Sequence, residues 1–302
     1  MDPQLPEFHV ELPDGRRLQV TTEGDPDAPV LIIHHGTPGG AVFHPGWIES
    51  ADSVGLRIVM YARPGYGTST RHPGRTVADA ATDTAAVADA LGADRFLTWG
   101  MSGGGPHALA CAAKLPDRVV AAATLGGVAP FDAEGLDFLA DMGEGNIAEF
   151  GVVLSEGEDG LRPLATDELA GMGRATVDEL VEQMTPHLSA VDAQELRDGF
   201  GHTLIAMVRD GARLGPDGWI DDDLAFVKPW GFDLAAIRSP VLLRQGRQDL
   251  MVPLGHGEWL AAHIPGVDAR FAESDGHLTP VMSGIGEVHQ WLRARWDAAG
   301  TR

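Results

Sequence analysis

Residues 30–33, Val-Leu-Ile-Ile, form a run without a polar side chain. It ends abruptly in His34-His35-Gly36-Thr37-Pro38-Gly39-Gly40. A strand apolar on both faces must be covered on both faces, which is the condition of a strand inside a parallel sheet. The loop that follows is too rich in Gly and Pro to be helix. The same grammar recurs along the chain. β-rich runs at 56–61, 95–99, 119–125, 240–243 and 267–271 alternate with helical patterns at 47–54, 76–91, 103–115, 255–264 and 285–296. That alternation predicts an α/β fold: a doubly wound, mostly parallel sheet with helices on both faces. An N-terminal hairpin is predicted before it, since Phe8, Val10 and Leu12 alternate, Pro13-Asp14-Gly15 turns the chain, and Leu18 and Val20 resume.

The alternation fails between residues 130 and 232. Helical patterns appear there, such as 175–184 and 193–209, but no convincing strand. The expected organisation is a core made of residues 1–129 and 233–302, with residues 130–232 inserted as a helical cap. This stretch also holds 22 acidic residues against 6 basic ones, most of the formal charge of −22 carried by the whole chain. Such an excess reads first as a solvated, self-repelling surface, and second as a field that steers cationic substrates. It argues against nucleic-acid partners, which are bound by clustered Lys and Arg, and against anionic membrane surfaces. The first residues show neither a basic n-region nor an apolar h-region, so no signal peptide is expected. With the single cysteine, Cys111, read as a packed thiol, a cytoplasmic protein is expected. Oligomeric state is not legible.

Gly100-Met101-Ser102-Gly103-Gly104 fits G-x-S-x-G and lies between a predicted strand and a predicted helix. A sharp turn at that junction would lift the Ser102 hydroxyl clear of the sheet, near the amides of a helix N-terminus. A phosphate-binding loop fits poorly, because the stretch is not G-x-G-x-x-G and no P-loop Lys follows. Serine is a weak nucleophile until a base takes its proton, so a histidine and an orienting acid are required downstream. Asp249 follows the strand at 240–243, and His277 lies in Ser274-Asp275-Gly276-His277 after the last strand. Asp275 competes with Asp249, but two residues is an awkward separation for orienting the same ring. Parallel strands present their C-terminal ends on one edge, so Ser102, Asp249 and His277 can converge there. An oxyanion hole would come from the amides of Gly103 and Thr37. Adjacent His34 and His35 read as structural. No zinc-binding spacing is found, and neither a metal nor a cofactor is expected.

Taken in order, the His35-to-Pro38 loop, Arg63-Pro64-Gly65-Tyr66-Gly67, the Gly100-to-Gly104 turn, Gly246-to-Asp249 and Gly276-His277 resemble the α/β-hydrolase superfamily. The resemblance spans nearly the whole chain and is specific for fold and triad, not for substrate. It implies a serine hydrolase acting on a carboxylic ester or related small acyl compound, with a histidine titrating near pH ~6 to 7. An N-terminal-residue peptidase, a carbon–carbon bond hydrolase, a cofactor-free perhydrolase and a non-enzymatic ligand receptor on the same fold remain open. Superfamily members with an Asp nucleophile are set aside by Ser102. Proline iminopeptidases are disfavoured because Thr37 replaces a loop glycine, and the sequence assigns no cap carboxylate to grip an amine. Phe138, Leu139, Phe150 and Trp230 are candidates for pocket lining.

Overall fold

The computed structural model describes residues 7–185 and 188–300. Most of the N-terminal stretch judged to lack a signal peptide lies outside that range. Among the described residues the strands β1 (Glu7–Glu11), β2 (Arg17–Glu23), β3 (Val30–His34), β4 (Arg57–Tyr61), β5 (Phe96–Met101), β6 (Val119–Leu125), β7 (Val241–Gly246) and β8 (Asp268–Ala272) form one sheet. Its order is β1-β2-β4-β3-β5-β6-β7-β8. The first hairpin is antiparallel, as the turn at Gly15 dictates, and β2 joins β4 antiparallel. All later pairings are parallel.

Strand β3 shows why the apolar runs belong in the middle. Ile32 pairs with Val59 on one side and Thr98 on the other. Leu31 and Ile33 face one buried apolar cluster, while Val30 and Ile32 face another. The two-residue period of a strand therefore feeds two cores at once. Helices α1 (Pro45–Ser53), α2 (Ala80–Ala90), α3 (Gly105–Lys114), α9 (Leu254–His263) and α10 (Ile285–Gly300) cover the faces.

Between β6 and β7 the chain is helical, with α4 (Glu144–Arg174), α5 (Val177–Met184), α6 (Ala190–Glu195), α7 (Gly201–Gly211) and α8 (Asp217–Phe226). The single helix expected at 193–209 is interrupted. Gly199 adopts φ 147°, and residues Leu196–Phe200 form a wide irregular turn that divides α6 from α7. A glycine tolerates that backbone, and continuous helical spacing in a sequence does not reveal it. The insertion shares buried side chains with the sheet, including Phe200, Met207 and Trp219 in one cluster and Phe150 and Phe226 in the other. No described helix is long and apolar enough to cross a membrane.

Ile32 has no exposed surface. Ile32→Ala is expected to lower the unfolding free energy by about 2–5 kcal/mol, read from urea denaturation. An unchanged midpoint would contradict two-sided burial of β3.

Candidate active site

Strand β5 ends at Met101, and the chain turns at once through Ser102–Gly104 into α3. Ser102 sits at φ 50°, one of two non-glycine residues at positive φ among those described. For a side chain with a Cβ this left-handed backbone is strained, and such strain is retained where the surroundings over-determine it. Gly103 helps to make the turn possible, because a methyl group there would collide with Oγ1 of Thr37. Pro106 falls in the first turn of α3, where its missing N–H is harmless.

Asp249 follows β7 and is almost fully buried, yet both its oxygens are occupied. Oδ1 accepts from the amides of Met251 at 2.9 Å and Val252 at 2.8 Å. Oδ2 accepts from Gln245 Nε2 at 3.0 Å and lies 2.8 Å from His277 Nδ1. The carboxylate is thereby fixed by groups that cannot rotate away, and it in turn fixes the imidazole so that Nε2 faces elsewhere. Burial disfavours a charged His277, but the charge and hydrogen bond of Asp249 outweigh it, and its pKa lies above the ordinary 6.5. Asp275 pairs instead with Arg244 at 3.4 Å.

Sheet register brings Ser102 to the same place. Met101 and Leu125 are the last partners across β5 and β6, so Ser102 and Gly126 each directly follow the ends of adjacent strands. Gly126, at φ 57°, is crowded by the pair: a Cβ would come within 3.1 Å of the His277 ring and 3.3 Å of Asp249 Oδ2. The His–Asp pair therefore abuts the strand end next to that of Ser102. The serine hydroxyl has no hydrogen-bond partner among the described residues, and contacts of this kind commonly tighten only around a substrate. Ser102, Thr37 and Gly103 line one narrow pocket, whose apolar walls are Val128, Met142, Phe150, Phe226, Met251 and Val252.

The Thr37 loop is held from two directions. Arg63 donates to the carbonyls of His35 at 2.5 Å and Gly36 at 3.0 Å, and to Thr37 Oγ1 at 3.1 Å. Thr37 Oγ1 in turn donates at 2.7 Å to Asp222 of helix α8. The same carboxylate receives Arg63 at 2.6 Å, Tyr66 at 2.8 Å and Arg75 at 2.7 Å. Burial opposes the charge of Asp222, but Arg63 and Arg75 hold its pKa well below the usual carboxylate range. Neither the Thr37 nor the Gly103 amide is used by the loop and cap hydrogen bonds of the described residues. On the other side, Asp192 of α6 accepts the Leu278 amide at 2.7 Å, beside His277.

A sequence profile for the alpha/beta hydrolase fold matches residues 29–148. The chain has the alpha/beta hydrolase fold. It is 24% identical over 276 residues to an uncharacterized hydrolase, YcgS, of Bacillus subtilis, covering 88% of this chain and 89% of that one. It is 28% identical over 296 residues to the rhodomycin D methylesterase DauP of a Streptomyces species, covering 90% of each. The crystal structure of a bromoperoxidase from Bacillus anthracis superposes with a TM-score of 0.70 at 18% identity, covering 97% of this chain and all of the other, a likeness of fold alone.

All five candidate residues thus reach one edge of the sheet: Ser102, Thr37 and Gly103 in the pocket wall, and Asp249 and His277 paired behind Gly126. His34 and His35 are buried and, as expected, serve packing. Burial, aided by the charge of Arg63, lowers His34 to about 3, and His35 accepts the Arg63 amide at 3.2 Å. Of the lining candidates, Phe150 faces the pocket, whereas Phe138 and Trp230 are core and Leu139 packs against it. The sequence reading missed Asp192, Asp222, Glu149 and Asp223. It treated the acids of this region as solvated, yet Asp192, Asp221, Asp222 and Asp223 are all buried. The only available signal was Asp221-Asp222-Asp223 directly after the apolar Trp219-Ile220. Asp222→Ala would strand two buried guanidinium groups, and a loss of about 3–5 kcal/mol is expected. Thermal and urea melts check this, and a near-neutral result would mean that Arg63 and Arg75 find other acceptors.

Proposed function

We propose that this protein is a serine hydrolase that cleaves a carboxylic ester or related small acyl compound through an acyl-serine intermediate. The observation that carries the reading is the strained Ser102 at the strand-to-helix turn, next to a strand end that abuts an imidazole locked to a buried carboxylate. Ser102 Oγ attacks the acyl carbon as His277 Nε2 takes its proton, while Asp249 stabilises the imidazolium. The amides of Thr37 and Gly103 receive the developing oxyanion, each contributing about 3 kcal/mol. Collapse breaks the bond to the leaving alcohol, which departs with the proton from His277. Water then gives a proton to His277 and attacks the acyl carbon, releasing the acid and restoring Ser102. The helical insertion acts as a cap over this pocket, and the partner is a small molecule.

Fluorophosphonate labelling tests the nucleophile. The wild type should be labelled and should release p-nitrophenol from p-nitrophenyl acetate, and Ser102→Ala should do neither. Equal labelling of both would remove the basis of the proposal. Arms with aminoacyl arylamides and peracid formation separate ester cleavage from the other reactions open to this fold.

The histidine supplies a second check. The base form of His277 is the active one, so kcat should rise with pH through its folded pKa. Asp249 raises that value, so the midpoint should lie above 6.5, higher than an unperturbed histidine would place it. Asp249→Asn should move the midpoint down and reduce kcat by about 10²–10⁴-fold. A flat profile between mildly acidic and mildly alkaline pH would count against His277 as the base.

A further inference from the structure

Three consecutive aspartates in α8 are buried, and two of them have basic partners. Asp221 pairs with Arg71 at 2.8 Å, and Asp222 with Arg63 and Arg75. Asp223 has no guanidinium or ammonium within ion-pair distance among the described residues. Its neighbour is a second acid, Glu149 of α4, whose carboxyl group lies close enough to interact with its own. Both line the pocket that holds Ser102, Thr37 and Gly103. Apart from the proton the pair shares, Oδ2 of Asp223 is buried with no donor reaching it. An orphaned acceptor of this kind calls for a partner, and none of the pocket-lining residues is Lys, Arg or His.

We propose that the Glu149–Asp223 pair is a recognition site for an ammonium group carried by the small acyl substrate. Two acids in contact share one proton and carry one negative charge between them. Burial and the charge of Glu149 push Asp223 well above the usual carboxylate range. Burial also raises Glu149, but the Trp219 indole N–H, donating at 2.6 Å, supports charge there. The pair as a unit therefore presents one negative charge to the pocket. The other charged groups near the pair are Asp222, already neutralised by its guanidinium partners, and Glu168 of α4. Neither supplies positive charge. The rest of the wall is apolar apart from Asn146, Thr37 and Ser102, and Asn146 spends its amide on the Met251 carbonyl at 2.8 Å. A pocket with apolar walls and one acidic pole selects an apolar molecule with one cationic end. A neutral guest leaves the anion unpaired, and a carboxylate is repelled.

The idea rests on the hydrolase reading only in calling the guest a substrate. Its test is competitive inhibition of p-nitrophenyl acetate hydrolysis by n-butylammonium, 1-butanol and pentanoate. The ammonium ion should inhibit with a constant lower than that of the alcohol by about tenfold or more, and pentanoate should be weakest. Alcohol or carboxylate matching the ammonium ion overturns the proposal without any variant. In Glu149→Gln and in Asp223→Asn, each checked for folding by thermal melting, the preference should shrink toward unity. A preference retained in both overturns it as well. Calorimetric titration of n-butylammonium into Ser102→Ala separates this idea from the hydrolase reading, since binding there requires no catalysis. Binding without wild-type hydrolysis would sink the hydrolase reading alone. Hydrolysis without ammonium preference would sink the recognition site alone.

Discussion

The carboxylate of Asp222 is the point on which this arrangement depends. It lies where helix α8 meets the loop after β3, out of contact with water, and accepts from two guanidinium groups, a phenol and the Thr37 hydroxyl. Burying such a charge is unfavourable by several kcal/mol before partners are counted, and a pair of this kind often adds little net stability. What it supplies is geometry. Arg63 reaches the His35 carbonyl with Nη1, which Asp222 leaves free, and the Gly36 carbonyl with Nη2, which it shares with Asp222. The loop bearing the Thr37 amide is thus clamped between the sheet and the insertion. Were α8 to shift, the carboxylate would lose several donors together, so the loop has one well-defined seat.

A second carboxylate does the equivalent work on the histidine side. Asp192, fully buried in α6, takes the Ser189 hydroxyl at 2.7 Å and the Leu278 amide at 2.7 Å, and it packs where any side chain on Gly276 would stand. The backbone around His277 is therefore fastened to the insertion, while its ring is fastened to the sheet through Asp249. Asp249 is itself saturated by two amides and Gln245. The Thr37 loop and the His277–Asp249 pair are each fixed by groups that are already fixed, which is how a site keeps its shape before a substrate arrives. Among the described residues the Ser102 hydroxyl and Oδ2 of Asp223 are exceptions, left without a partner in the pocket.

These arrangements differ in how far the sequence disclosed them. The sheet was legible because a strand covered on both faces must be continuously apolar, and residues 30–33, 119–123 and 240–243 obey that rule. The positions of Ser102, Asp249 and His277 followed from the geometry of parallel strands, which end on one edge whatever the loops contain. The insertion was harder. Helical spacing across residues 193–209 concealed the break at Gly199, since a glycine in the middle of an apolar period gives no sign of its φ. Its acids were harder still. A carboxylate on a helix is usually solvated, and nothing local distinguishes Glu144, which is exposed, from Asp192, which is not. Burial of a charge is decided by partners distant in sequence, such as the 159 residues that separate Arg63 from Asp222.

Helix α8 explains why three adjacent acids could acquire three different roles. Successive residues on a helix point about 100° apart, so no three in a row can share a face. On an ordinary surface helix at least one of them would look into water. This helix is buried along nearly its whole length, from Gly218 through Phe226 except Leu224. Each aspartate therefore had to find its own surroundings: Arg71 for Asp221, the loop clamp for Asp222, and the pocket wall for Asp223. A polar residue with no outward direction must be matched or must have a use for being unmatched. Two of the three are matched within the protein by opposite charge. The third shares a proton with Glu149 on the boundary of the pocket, where the remaining unmet demand can be answered only by something that enters from outside.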